Sequence, residues 1–116
     1  MSEILRFEPP PRVARPGLPP VFFNRREFDL LLGLYGRMVA AGEWRDYAIG
    51  SDTHSCTFAF YKRTGDEPAY RVVKVPALAK RQGAWSIVAP GGRVLKRGHE
   101  LPTLLRFFEP KDLRLV

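Results

Sequence analysis

The spacing of apolar residues in this chain changes from a helical period to a period of two at Gly42, and that change limits the folds open to it. Before Gly42, apolar residues recur at helical spacing; these are Phe28, Leu31, Leu32, Tyr35, Met38 and Val39. After it, short apolar runs with a period of two are separated by Gly, Pro and Asp, as in strands joined by turns. The sequence therefore predicts one long helix followed by a sheet.

The residues around the predicted helix favour definite ends. Asn24 is a good N-cap, and Glu27 stands three residues later, which is the capping-box spacing. Phe23 and Phe28 flank the cap as a hydrophobic staple would. Gly42 suits the left-handed residue that ends a helix. We predict a helix over residues 25–41.

Five short strands are expected after this helix, at residues 44–49, 56–62, 69–75, 84–89 and 93–97. The sequence TGDEP between the second and third runs has the composition of a turn, which predicts a hairpin. Pro90 and Gly91 suit the two central positions of a type II turn, so the fourth and fifth strands should form another hairpin. Strands joined this way form an antiparallel meander.

A short helix is predicted near the C-terminal end of the sequence. Leu101, Leu104, Leu105 and Phe108 follow helical spacing, and Pro110 ends the pattern. The fold class is therefore α+β: a long N-terminal helix, an antiparallel meander of about five short strands, and a short C-terminal helix, with both helices on one sheet face. The predicted core comprises Phe28, Leu31, Leu32, Tyr35, Val39, Phe58, Phe60, Val72, Trp85, Ile87, Leu95, Leu101, Leu104, Leu105 and Phe108.

Two regions with different composition make up the chain. Residues 1–20 hold six of the eleven prolines and few bulky apolar residues, so we expect a proline-rich mobile tail. Residues 21–116 should form a single small α+β domain, with residues 111–116 as a tail or a short edge strand.

Several classes of protein are disfavoured by composition. No apolar run approaches the ~20 residues of a membrane span, and the first residues do not resemble a secretory signal. The one cysteine, Cys56, cannot form an intramolecular disulfide. The simplest expectation is a cytoplasmic protein.

Positive charge is concentrated in one quarter of the chain. The formal net charge is +7, and the segment from Arg71 to His99 contains seven basic residues and no acidic one. They are the predicted anion-binding residues: Arg71, Lys74, Lys80, Arg81, Arg93, Lys96 and Arg97. Because they lie on adjacent strands and loops, we expect one positive patch, with Tyr61, Tyr70 and Trp85 nearby for base stacking.

The leading functional hypothesis is thus a non-enzymatic binding module for an anionic partner, most simply nucleic acid. The alternative is a protein-interaction or adaptor module that uses the proline-rich tail and an exposed apolar patch around Phe22, Phe23 and Phe107. Basic residues on edge strands also prevent unwanted pairing with the strands of other molecules. The plainer interpretation is therefore that these charges are solvated surface residues with no binding role. The oligomeric state is left open.

Catalytic and metal-binding patterns are weak. Asp52, His54 and Cys56 alternate, and His99 could be a fourth ligand, but paired short-spaced ligand motifs are missing. A polar turn leading into a strand, with Cys56 as a small buried apolar residue, explains them better. We predict no catalytic residue, no metal site and no cofactor.

Four motifs, in this order, resemble those of a known family: LYGRMVAAGEWRDYAI at 34–49, YRVVK at 70–74, RQGAWSIV at 81–88 and VLKRGHEL at 94–101. They are similar to the short alphaproteobacterial proteins of the domain of unknown function 2794 family, and the resemblance extends over roughly residues 22–115. The resemblance implies a bacterial, cytoplasmic protein. It supplies no activity, cofactor or site residue.

Overall fold

A computed structural model describes residues 19–110 of the chain. Helix α1 spans Arg25–Ala40 and helix α2 spans Leu101–Leu105, which continues as the 3₁₀ turn Arg106–Phe108. The strands are β1 Asp46–Ser51, β2 Cys56–Tyr61, β3 Tyr70–Lys74, β4 Trp85–Val88 and β5 Val94–Gly98. Most of the predicted tail and the predicted terminal segment 111–116 lie outside the described residues.

The five strands form one antiparallel sheet in the order β1-β2-β3-β4-β5. This is the predicted meander, in which each strand pairs with the next along the chain. The β4–β5 turn has the predicted type II geometry: Gly91 has φ 86° and ψ −2°, and the Gly92 N–H donates to the Ala89 carbonyl at 3.0 Å. The fold class is confirmed.

The start of α1 is also as predicted. The Glu27 N–H donates to Asn24 Oδ1 and the Asn24 N–H donates to Glu27 Oε1, each at 2.8 Å, which is a complete capping box. The rings of Phe23 and Phe28 both pack against Phe58, with centroids 6.1 and 6.3 Å away. These local contacts join the beginning of α1 to the centre of the sheet.

Both helices cover the same sheet face, as predicted. Leu31 and Leu34 of α1 and Leu104 of α2 join Phe58 and Ile87 in one buried cluster. A second, smaller cluster lies on the opposite face and contains only strand residues, Ala48, Ala59 and Tyr61. Within residues 19–110, no helix is long and apolar enough to cross a membrane.

Two core residues differ from prediction. Val39, which the helical spacing predicts in the core, is 41% exposed, whereas Leu34, which is not in the predicted core, is buried. These residues lie about 140° apart around the helix, at 3.6 residues per turn, and α1 docks with Leu31 and Leu34 toward the sheet. Val39 is therefore at the margin of the buried stripe.

Trp44 is a further core residue that the predicted core does not include. The sequence pattern places it in the first strand, yet that strand begins at Asp46. Trp44 is 2% exposed and stacks on Phe60 with ring centroids 4.1 Å apart. It also meets Phe108 edge-on at 5.4 Å. The residue thus fills the space between the end of α1 and the turn after α2.

Candidate nucleic-acid interface

The seven predicted anion-binding residues do not share one environment. Two of them, Arg71 and Lys74, lie on the central strand β3 and are partly buried. The other five are exposed and lie on the β3–β4 connection, the β4–β5 turn and β5. We call these five the basic rim: Lys80, Arg81, Arg93, Lys96 and Arg97.

Lys74 is held by protein groups. Its Nζ lies 2.7 Å from Glu27 Oε1, donates to the Phe22 carbonyl at 2.9 Å, and sits 5.7 Å from the centre of the Trp85 ring. Only 17% of its side chain is exposed. Lys74 therefore attaches the beginning of α1 to the sheet and does not belong to the accessible positive surface.

Arg71 is half-buried on the sheet face opposite the helices. It pairs across β3–β4 with Val88, and its neighbours on the same face are Ala59 and Tyr61 of β2. Burial lowers the pKa of the Arg71 guanidinium, while the nearby Glu67 carboxylate acts in the opposite direction. Arg71 thus contributes less to an external positive field than an exposed arginine does.

The loop that carries Lys80 and Arg81 is tightly built. The Val75 N–H donates to the Ala84 carbonyl at 2.7 Å and closes the loop, while the amides of Arg81, Gln82 and Gly83 converge on the Leu78 carbonyl at 3.0–3.2 Å. The loop is pressed against the end of β5: a Cβ added to Gly83 would lie 2.3 Å from the Gly98 carbonyl oxygen. This contact places Lys80 and Arg81 close to the end of β5 that carries Arg97.

The remaining members of the basic rim follow the edge strand β5. Lys96 is opposite Ile87 and lies on the helix side, whereas Arg97 is opposite Ser86 and lies on the other side. Arg93 stands at the far end of β5, about 13 Å from Arg97 at the usual rise of about 3.3 Å per residue. The charges therefore run along one edge of the sheet and do not converge on a single face.

The aromatic residues expected near these charges do not offer stacking surfaces. Trp85 is 5% exposed and Tyr61 6% exposed. Tyr70 is half-buried against Phe107 and Phe108, with centroids 6.1 and 5.1 Å away. What the basic rim can supply is a row of cations that contact phosphate oxygens.

The alternating Asp52, His54 and Cys56 make contacts of the β1–β2 turn and of the core. The Asp52 carboxylate accepts hydrogen bonds from the backbone N–H groups of His54 and Ser55 at 2.7 and 2.8 Å, and these bonds stabilise the β1–β2 turn. Burial raises the pKa of the Cys56 thiol to about 11, so the reactive thiolate is disfavoured. Among residues 19–110, no three His, Cys, Asp or Glu side chains are grouped as metal ligands would be.

The fold and the edge-strand charges define a small α+β protein with a basic rim. The chain belongs to the family described as "Protein of unknown function (DUF2794)", whose model matches residues 21–105. That range begins at Val21, which bonds to Ser51 and Asp52, and ends at the last residue of α2. Comparisons with curated proteins and with solved structures gave no match.

Proposed function

We propose that this protein is a non-enzymatic binding module whose basic rim contacts the phosphates of a nucleic acid. One observation carries the proposal: within residues 19–110, no acidic side chain forms an ion pair with any of the five rim residues. Elsewhere among the described residues, Arg25 and Arg106 have acidic partners at 3.4 and 3.9 Å, and the exposed cations without one are scattered over the surface, whereas the five rim residues follow one edge of the sheet. Unpaired cations in a row attract a polyanion because binding releases its condensed counterions.

The position of the basic rim favours contact with the sugar-phosphate backbone of a nucleic acid over recognition of its bases. The rim follows a strand edge and offers no exposed aromatic side chain for stacking, and phosphate contacts alone carry no sequence information. We therefore expect binding that depends weakly on sequence and strongly on salt. Five phosphate contacts would give a log–log salt slope of about −4.5 on a duplex and about −3.5 on a single strand.

The test is a titration of fluorescent single- and double-stranded RNA and DNA with the full chain, from low to physiological salt. The rim variant reverses Lys80, Arg81, Lys96 and Arg97 to Glu. The control variant reverses four exposed residues away from the rim, Arg26, Arg45, Lys62 and Arg63, so both variants change the net charge from +7 to −1. We expect the rim variant to lose binding and the control to weaken it only modestly. Equal losses, or no binding by the native chain at low salt, would reject the proposal.

A protein-interaction role is the second proposal, and it is supported by the 62% exposure of the Phe22 side chain. The apolar patch expected around it is not continuous. Phe23 is stacked on Trp85 in the core, with centroids 6.0 Å apart, and Phe107 lies beside Tyr70 at the other end of β3. Deleting residues 1–20 separates the two proposals, because it should spare nucleic-acid binding and abolish binding to a partner of the tail.

A further inference from the structure

A groove runs between α1 and the segment formed by α2 and the turn after it. It encloses about 730 Å³, within the range of pockets that hold small organic ligands. Its walls are mainly apolar and include Leu30, Leu34 and Met38 from α1, and Leu105 and Phe108 from the opposite side. Helix α1 and its C-cap residue line it over about three turns, from Asp29 to Ala41, a length of about 18 Å at 1.5 Å per residue.

One position in the α1 wall of the groove is a glycine, Gly33. It lies among the lining residues, and a larger side chain there would project into the groove. Glycine in a helix costs about 1 kcal/mol relative to alanine, so it weakens α1 at this position. The neighbouring Gly36 has nothing within 4 Å of an added Cβ and does not line the groove.

One charge on the groove is not balanced. The lining Asp29 is paired with Arg25 at 3.4 Å, and the lining Arg106 is paired with Glu109 at 3.9 Å. Among residues 19–110, Arg37 has no such partner. Its guanidinium lies over Gly33, with Nη1 3.6 Å from the position of an added Cβ. An apolar groove therefore carries a single uncompensated cation.

We propose that this groove binds a free fatty acid: the alkyl chain lies on the apolar walls and the carboxylate pairs with the Arg37 guanidinium. The groove extends along about three turns of α1 and is walled on two sides, which suits a linear chain. A guanidinium presents two parallel N–H donors that match a carboxylate, and such a pair is stronger beside an apolar wall than in open water. This site is separate from the basic rim.

The experiment is calorimetric titration of the full chain with sodium dodecanoate below its micelle concentration. Dodecyltrimethylammonium has the same alkyl chain with the opposite charge, and hexanoate has the same head group with a shorter chain. We expect dodecanoate to bind, hexanoate to bind more weakly, and the cationic analogue to bind at least about tenfold more weakly than dodecanoate. Amide shifts of Leu34, Met38 and Leu105 should follow the titration.

Two matched pairs of variants locate the site. Gly33→Leu fills the groove while improving helix propensity, and Gly36→Leu makes the same propensity change away from it. Arg37→Gln removes the cation from the groove, and Arg26→Gln removes one elsewhere on α1. Gly33→Leu and Arg37→Gln should each weaken dodecanoate binding by at least about tenfold, and the two controls should leave it unchanged.

The reversal of the four rim charges should also leave dodecanoate binding unchanged, so this proposal can fail or succeed independently of nucleic-acid binding. The inference is overturned if dodecanoate does not bind, if the cationic analogue binds equally well, or if Gly36→Leu reduces binding as much as Gly33→Leu. Binding of an acidic amphipathic peptide in place of dodecanoate would assign the groove to a partner helix and would also overturn it.

Discussion

The contact between Lys74 and Glu27 joins α1 to the sheet, and removing it should destabilise the whole fold. The two side chains are only 17% and 18% exposed, and their atoms are 2.7 Å apart. Lys74→Met keeps most of the apolar stem and removes the charge. It breaks one charge-assisted bond to Glu27 and one to the Phe22 carbonyl.

The expected size of the effect lies between two limits. Exposed ion pairs contribute about 0–1 kcal/mol, and breaking a fully buried pair costs about 3–5 kcal/mol. Glu27 keeps its bond from the Asn24 amide in the variant, which reduces the penalty of leaving its carboxylate behind. We expect Lys74→Met to lower the free energy of unfolding by about 1.5–3 kcal/mol.

Glu27→Gln removes the negative charge that pairs with Lys74 and keeps the capping box, because a glutamine side chain can still accept the bond from the Asn24 N–H. Urea unfolding of the native chain, both single variants and the double variant gives a coupling energy, which we expect to be about 1–2 kcal/mol. Each kcal/mol corresponds to a shift in Tm of about 4–8 °C for a domain of this size. A loss below about 0.5 kcal/mol for Lys74→Met, or no coupling, would show that the contact does not fix α1 to the sheet.

Two further predictions concern a backbone contact and a buried thiol. Gly83→Ala should lower the free energy of unfolding in urea by at least about 2 kcal/mol, because φ of Gly83 is +98° and the new Cβ would lie 2.3 Å from the Gly98 carbonyl oxygen. Gly36→Ala, where an added Cβ has nothing within 4 Å, should raise it by up to about 1 kcal/mol. A similar result for both variants would contradict the close approach. Burial raises the pKa of the Cys56 thiol from 9.0 to about 11, so the unfolded state releases this proton at a lower pH than the folded state does. The free energy of unfolding should therefore fall as the pH rises from about 9 to about 11. The contribution of Cys56 to this fall should be less than about 3 kcal/mol. The decline should be smaller in Cys56→Ala; identical pH profiles for the two proteins would contradict it.

Elements governed by neighbours along the chain could be predicted from the sequence. The capping box of Asn24 and Glu27 needs only residues three positions apart, and the type II turn needs only Pro90 followed by Gly91. Short turns between strands with period-two spacing then require the meander. Local geometry determines each of these features, so tertiary contacts did not change them.

The candidate site was only partly predictable. The sequence shows seven basic residues in an acid-free run, but it does not show that Lys74 meets a carboxylate 47 positions earlier. It also does not show that Lys96 and Arg97 separate onto two sides of an edge strand. Trp85 was correctly predicted as core, and this burial leaves the charges without the expected stacking partner.

The sequence by itself determined the order and type of elements, the start of α1 and the excess of positive charge, because these depend on residue types at short spacing. Only the tertiary structure decided that Leu34 and Trp44 are buried while Val39 is exposed, that the exposed charges form an edge, and that Arg37 lines an apolar groove. Those outcomes depend on how α1 and α2 dock on the sheet. Docking is set by the summed packing of residues far apart in the chain, which no local pattern records.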